Sequence, residues 1–163
     1  MTPLAEHVID TYAAAVARIA ASYERDAGVR EELVQDMLLA IVQALPRLRE
    51  PDRLRAYVFR IAHNRAMRHI IDRMRQPLPV ADLDHVADEA DDQERALITG
   101  QSGAALLAAV RSLPLPYRQV VTLLLEDLTY AEIAEALGLS PTNVGVRINR
   151  AKQLLKKALN HDR

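Results

Sequence analysis

Apolar residues recur at every third or fourth position through almost the whole 163-residue chain. Val, Ile and Thr nowhere alternate with polar residues over a strand length. Glycine, which would break helices, occurs only five times. The exception is "QPLPVADLDHVADEADDQE", residues 76–94, with two prolines, few large apolar side chains and no sustained period. It reads as a linker. The pattern predicts an all-α fold: two small helical domains, 1–76 and 104–163, joined by an acidic linker over 77–103. The length suffices for a sizeable core in one domain or two small ones.

Charge follows the same division. The net charge of −1 conceals −4 over residues 1–46, +6 over 47–75, −6 over 76–103 and +3 over 104–163. Two basic helical segments flank an acidic one, so local charge, not the whole-chain balance, bears on nucleic-acid binding.

Three helical segments fill the first domain: 4–25, 30–48 and 51–76. In the second, Leu33, Met37, Ile41 and Leu45 step by four. In the third, Leu54, Val58, Ile61, Ala62, Arg65 and Ile70 form a mostly apolar face, and Arg53, Arg60, Asn64, Arg68, His69, Arg73 and Arg75 lie on the polar side. By itself an arginine-rich face is equally well explained as guanidinium groups lying along a wet surface.

The second domain carries a sharper pattern. "SGAALLAAVRSL" and "PYRQVVTLLLED" are apolar helices split by prolines, and "LTYAEIAEALGLSPTNVGVRINRAKQLLKKAL" follows. Thr129 and Glu132 have capping-box spacing, Gly138 ends one helix, and Ser140–Pro141 begins the next. Ile133, Leu137, Leu139, Val144 and Ile148 would share a core, with small Ala134 at the crossing. The polar side carries Thr142, Asn143, Arg147, Asn149, Arg150, Lys152 and Gln153, and no acid occurs between Glu135 and Asp162. A helix kept merely soluble mixes both signs. The pattern is that of a helix-turn-helix, whose second helix enters the major groove. Thr142, Asn143 and Arg147 stand near the helix start, where bases are read; Arg150 and Lys152 suit phosphates.

Other classes find little support. There is no cysteine, and His7, His63, His69, His85 and His161 have no ligand spacing, so neither metal nor cofactor is expected. Each histidine reads as a surface or interface residue. No phosphate-binding glycine loop or nucleophile elbow is present, which argues against an enzyme. The N-terminal stretch lacks a basic start, and no apolar run approaches the roughly 20 residues that span a bilayer, so a cytoplasmic protein without membrane insertion is expected.

"EELVQDMLLAIVQALPRLREPDRLRAYVFRIAHNRAMRHIIDRMR" resembles region 2 of the small sigma-70-type factors, the extracytoplasmic-function class. "LPLPYRQVVTLLLEDLTYAEIAEALGLSPTNVGVRINRAKQLLKKAL" resembles their region 4. The resemblance covers about residues 8–75 and 104–159. It implies a sigma factor that binds core RNA polymerase and directs transcription initiation at promoter DNA. Region 2 would dock on the beta-prime clamp helices and open the −10 element. Region 4 would sit on the beta flap and read the −35 element, and an anti-sigma factor becomes a possible partner. Carried over by position, Glu32, Gln35, Asp36 and Leu39 fall on the clamp-binding helix. Asn64, Arg65 and Arg68 fall on the −10-facing helix, and Arg49, Arg53 and Arg55 on the loop that captures a flipped base. Thr142, Asn143, Arg147, Arg150 and Lys152 fall on the −35 helix. The family's usual tryptophans are replaced by Val42 and Tyr57, and Gly145 and Val146 stand where a lysine and a small polar residue are common. The alternative is a stand-alone helix-turn-helix regulator with its first helices serving as a dimerisation or effector domain.

Overall fold

The computed structural model describes residues 1–75 and 101–161. These contain seven α-helices and no strand. They are α1 (Pro3–Tyr23), α2 (Ala27–Ala44), α3 (Leu54–Arg75), α4 (Gln101–Ser112), α5 (Leu115–Leu124), α6 (Tyr130–Leu137) and α7 (Pro141–His161). The stretch read as the acidic linker, and His85 within it, lies outside the described residues up to residue 100. Helix α4 already begins at Gln101, inside the range expected as linker.

Local chemistry sets the boundaries. The Thr2 hydroxyl accepts from the Ala5 amide at 3.2 Å and Pro3 opens α1, where its missing N–H is no loss. The Asp26 carboxylate accepts from the Val29 amide at 3.0 Å, so α2 begins at Ala27, three residues earlier than its periodicity suggests. It also ends earlier, at Ala44, and Leu45–Arg47 is a 3-10 turn. Pro46 explains this, because it has no N–H to continue the helix and its ring would strike the carbonyl four residues back. Pro51 likewise opens a 3-10 turn, Pro51–Arg53, before α3 begins at Leu54.

Helices α1, α2 and α3 pack on one another, and α4 to α7 form a second bundle. Val8, Val16, Ile19, Met37, Ile41 and Val58 are at most 2% exposed in the first, and Val110, Val120, Leu123, Ile133, Val144 and Ile148 at most 1% in the second. Tyr12 meets Phe59 edge-to-face at 5.8 Å. Each such side chain contributes roughly 1.5–3 kcal/mol by leaving water. The two bundles also touch: α3 lies on α6, and α1 on α4 and α5, and their buried residues form one continuous cluster.

Candidate polymerase and promoter interface

The helix-turn-helix is built as its local signals predict. The Thr129 hydroxyl accepts from the Glu132 amide at 3.1 Å, and the Thr129 amide donates to Glu132 Oε1 at 2.9 Å. Gly138 takes the left-handed conformation, φ 69°, and the Leu139 amide donates back to the Ala134 carbonyl at 2.9 Å. The Ser140 hydroxyl accepts from the Asn143 amide at 3.1 Å. Ile133 and Ala134 are buried against Val144 and Ile148, so α7 is held rigidly with its other side outward.

That outward side carries Thr142, Asn143, Val146, Asn149, Arg150, Lys152 and Gln153, all exposed. Arg147 is half-buried on a flank. Lys156 and Lys157 extend the cationic surface, and α7 contains no carboxylate. The face offers donors at its start and cations along its length, the layout that suits base edges followed by phosphates.

On α2, Glu32, Gln35, Asp36 and Leu39 are all exposed and fall on one stripe at steps of three, one and three. Leu39, 57% exposed, leaves an apolar side chain amid polar ones. Asp36 Oδ1 lies 3.8 Å from Arg65, which joins this stripe to α3. Arg65 thus faces α2, whereas Asn64 and Arg68 are exposed on α3. Arg60 stands four residues before Asn64 and is also exposed. The i, i+4 spacing alone would have added it to the set selected by position.

The arginines read as a base-capturing loop are divided. Arg47, Arg49, Glu50, Arg53, Tyr57 and Arg60 line a cavity of about 310 Å³ that Glu135 of α6 closes from the other bundle. Arg53 pairs with Glu50 at 2.8 Å and reaches Glu135 at 3.4 Å. Arg55 lies under α6, 3.5 Å from Glu132 Oε2, and its terminal nitrogen donates to the Glu126 carbonyl at 2.8 Å. Tyr57 donates to the Ala44 carbonyl at 2.8 Å, tying α3 to the end of α2.

Buried polar groups brace the scaffold. Glu24, 5% exposed, lies 2.9 Å from His69 Nε2 and 3.3 Å from Arg73, and accepts from the Asp26 amide at 3.1 Å. Burial alone would raise its pKa, but the bonds from His69 and the Asp26 amide and the charge of Arg73 together hold it below the ordinary value. Tyr23 is buried, and the desolvation of its phenolate pushes it up to about 12. The Arg118 guanidinium lies 5.6 Å from its ring centre, and burial lowers that arginine.

His63 corrects the reading of every histidine as a surface or interface residue. It is 6% exposed within α3, and burial pushes it down to about 4, because the imidazolium would lose its hydration. His63 stands four residues after the buried Phe59 and three before the buried Ala66, so the helical period alone turns it inward, unlike its exposed neighbour Asn64. His7 is exposed and His69 half-buried.

Among the described residues, no helix is long and apolar enough to cross a membrane.

Comparison with known proteins agrees with both halves. Sigma-70 region 2 matches residues 8–76 and Sigma-70, region 4 matches residues 103–155. The chain is 28% identical to the RNA polymerase sigma-H factor of Pseudomonas aeruginosa over 84% of this chain and 76% of the relative. It is 33% identical to the ECF RNA polymerase sigma factor ShbA of Streptomyces griseus, over 77% of this chain and 69% of that one. It is also similar to the solved structure of CnrH in complex with the cytosolic domain of CnrY. There the TM-score is 0.68 at 26% identity, over 98% of this chain and 89% of that one. Matches that run through both halves in family order do not favour the stand-alone regulator. The chain belongs to the sigma-70 family of RNA polymerase sigma factors, within the extracytoplasmic-function class, and it directs core RNA polymerase to promoter DNA.

Proposed function

We propose that three surfaces divide this work. The exposed stripe Glu32, Gln35, Asp36 and Leu39 docks on the clamp helices of the polymerase beta-prime subunit. Asn64, Arg65 and Arg68, with Arg49, Arg53 and Arg55 at the base-capturing loop, engage the −10 element. Extruding a base there costs a few kcal/mol of unstacking, which contacts inside a pocket offset. Thr142, Asn143, Arg147, Arg150 and Lys152 of α7 engage the −35 element while its bundle rests on the beta flap.

The observation that carries this reading is α7 itself. It is a capped, rigidly seated helix of 21 residues without a carboxylate, and its polar side is turned away from the core. The domain limits 1–76, 77–103 and 104–163 belong to the same reading. So do a cytoplasmic location beside the polymerase, action by binding rather than catalysis, and control by an anti-sigma protein. The test is run-off transcription by core polymerase plus the purified chain on a library of randomised promoters. Selection of a two-part motif supports the proposal. Tight binding of a palindrome by a dimer without polymerase overturns it.

A further inference from the structure

Val146 is an apolar side chain in the middle of a polar surface. It is 46% exposed, and it shares the outward side of α7 with Thr142, Asn149, Arg150 and Gln153, opposite the fully buried Val144, Ile148 and Ala151. Lone exposed valines are ordinary on protein surfaces and carry no meaning by themselves. This one stands on a helix whose charge is wholly cationic, so the surface that complements its face is polyanionic. Within the major groove of DNA, the base edges are donors and acceptors except for one apolar group, the C5-methyl of thymine.

Gly145 supplies the second observation. A Cβ built at this position would meet only the ring of Tyr130, at 3.7 and 3.9 Å, which is ordinary contact distance. The core therefore does not demand a glycine here. The Tyr130 ring lies against that flank of α7, while Val146 stands on the outward side. Valine is short and reaches a base edge only from a helix seated deep in the groove.

We infer that Val146 is a base-specificity residue that reads a thymine of the −35 element through its C5-methyl group. The inference rests on α7 being the −35 helix, and it adds which base chemistry this chain selects.

The test uses the full chain with core polymerase on a promoter selected from a library randomised through the −35 element. Each thymine of that element, on either strand, is replaced singly by deoxyuridine, which removes the methyl and keeps every hydrogen-bonding atom. One position is expected to weaken holoenzyme binding by about 3- to 10-fold, the scale of one lost methyl contact. Val146→Ala should weaken binding to the parent promoter similarly and no longer respond to deoxyuridine there. Val146→Ile should keep the response. The side chain is exposed, so these variants are expected to fold, and circular dichroism checks that they do. If no deoxyuridine matters while a scrambled −35 element still abolishes binding, Val146 does not read thymine although α7 remains the reader. If scrambling the −35 element has no effect either, the reading of α7 fails as well, and the inference fails with it.

Discussion

Arg18 and Glu126 are 108 residues apart in the chain and meet as a two-bonded fork. Arg18 Nε donates to Oε2 at 2.9 Å and its terminal nitrogen to Oε1 at 2.7 Å. The hydrogen bond to Glu126 raises the pKa of Arg18. The main chain of Glu126 is held too, since its carbonyl accepts from Arg55. With Arg53–Glu135 and Arg55–Glu132, these pairs fasten the first bundle to the second. Arg18 itself is largely exposed, so its pair is screened and contributes only about 1 kcal/mol or less.

The closed arrangement carries a geometric consequence. Elements named −35 and −10 are centred roughly 25 base pairs apart, about 85 Å at 3.4 Å per step. If α3 and α7 engage these elements, they cannot reach both while α3 lies against α6. The chain has no cysteine, so Ala17→Cys and Ala131→Cys, both at exposed positions, can carry a fluorophore pair. Energy transfer is expected to be high in the free chain and to fall sharply on adding core polymerase and promoter. Glu126→Arg should lower it in the free chain already. Equal transfer in free chain and promoter complex would show that the fork survives and that the two readers sit elsewhere.

Asp36 tests the stripe proposed to face the polymerase. It is exposed, and its contact with Arg65 is long, so reversing its charge should disturb the fold by less than about 1 kcal/mol. Asp36→Arg is expected to abolish co-purification with core polymerase while circular dichroism stays unchanged. Intact co-purification would remove this stripe from the interface.

Arg147 and Lys152 are expected to differ in kind. Arg147 has a planar fork suited to guanine O6 and N7, and its half-buried flank position restricts its motion. Arg147→Ala should cost about 1–3 kcal/mol in holoenzyme binding and relax preference at one or two base pairs. Lys152 is a compact charge further along the helix. Lys152→Ala should weaken binding alike on all sequences and flatten the salt dependence by about one unit of slope. Unchanged selectivity in the Arg147 variant would leave that side chain a structural one.

His63 makes stability depend on pH. Its folded pKa of about 4 lies below the ordinary 6.5, so between those values the unfolded chain binds the extra proton. Stability therefore rises with pH across this window, by up to about 3 kcal/mol between pH 4 and 7. Glu24, also depressed, contributes stability that is lost at lower pH, beneath the ordinary carboxylate value. Urea titrations at half-unit intervals should show the rise between pH 4 and 6.5, and His63→Leu should flatten it there while leaving the acid limb. A wild-type curve flat over that range would mean that His63 is solvated.

The features legible in the sequence are those whose physics is local. The box between Thr129 and Glu132, the left-handed stop at Gly138 and the Ser140–Pro141 start each involve partners within four residues, so their spacing suffices to find them. Apolar steps likewise revealed the helices and the inward sides of α2 and α7. Pro46 ends α2 inside a stretch through which the apolar period continues, and Pro51 opens a 3-10 turn that delays α3 to Leu54. Residue pattern thus suffices for the helical character of the described segments, the helix-turn-helix and the cationic helices that carry the family's character. Packing between helices turned Arg65 to Asp36. It alone set Arg55 and Arg18 upon Glu126, and Glu135 over the arginine-lined cavity. Each of these depends on which helix lies against a given face. That is settled by joint packing of segments up to 108 residues apart, which leaves no periodic trace in either segment alone.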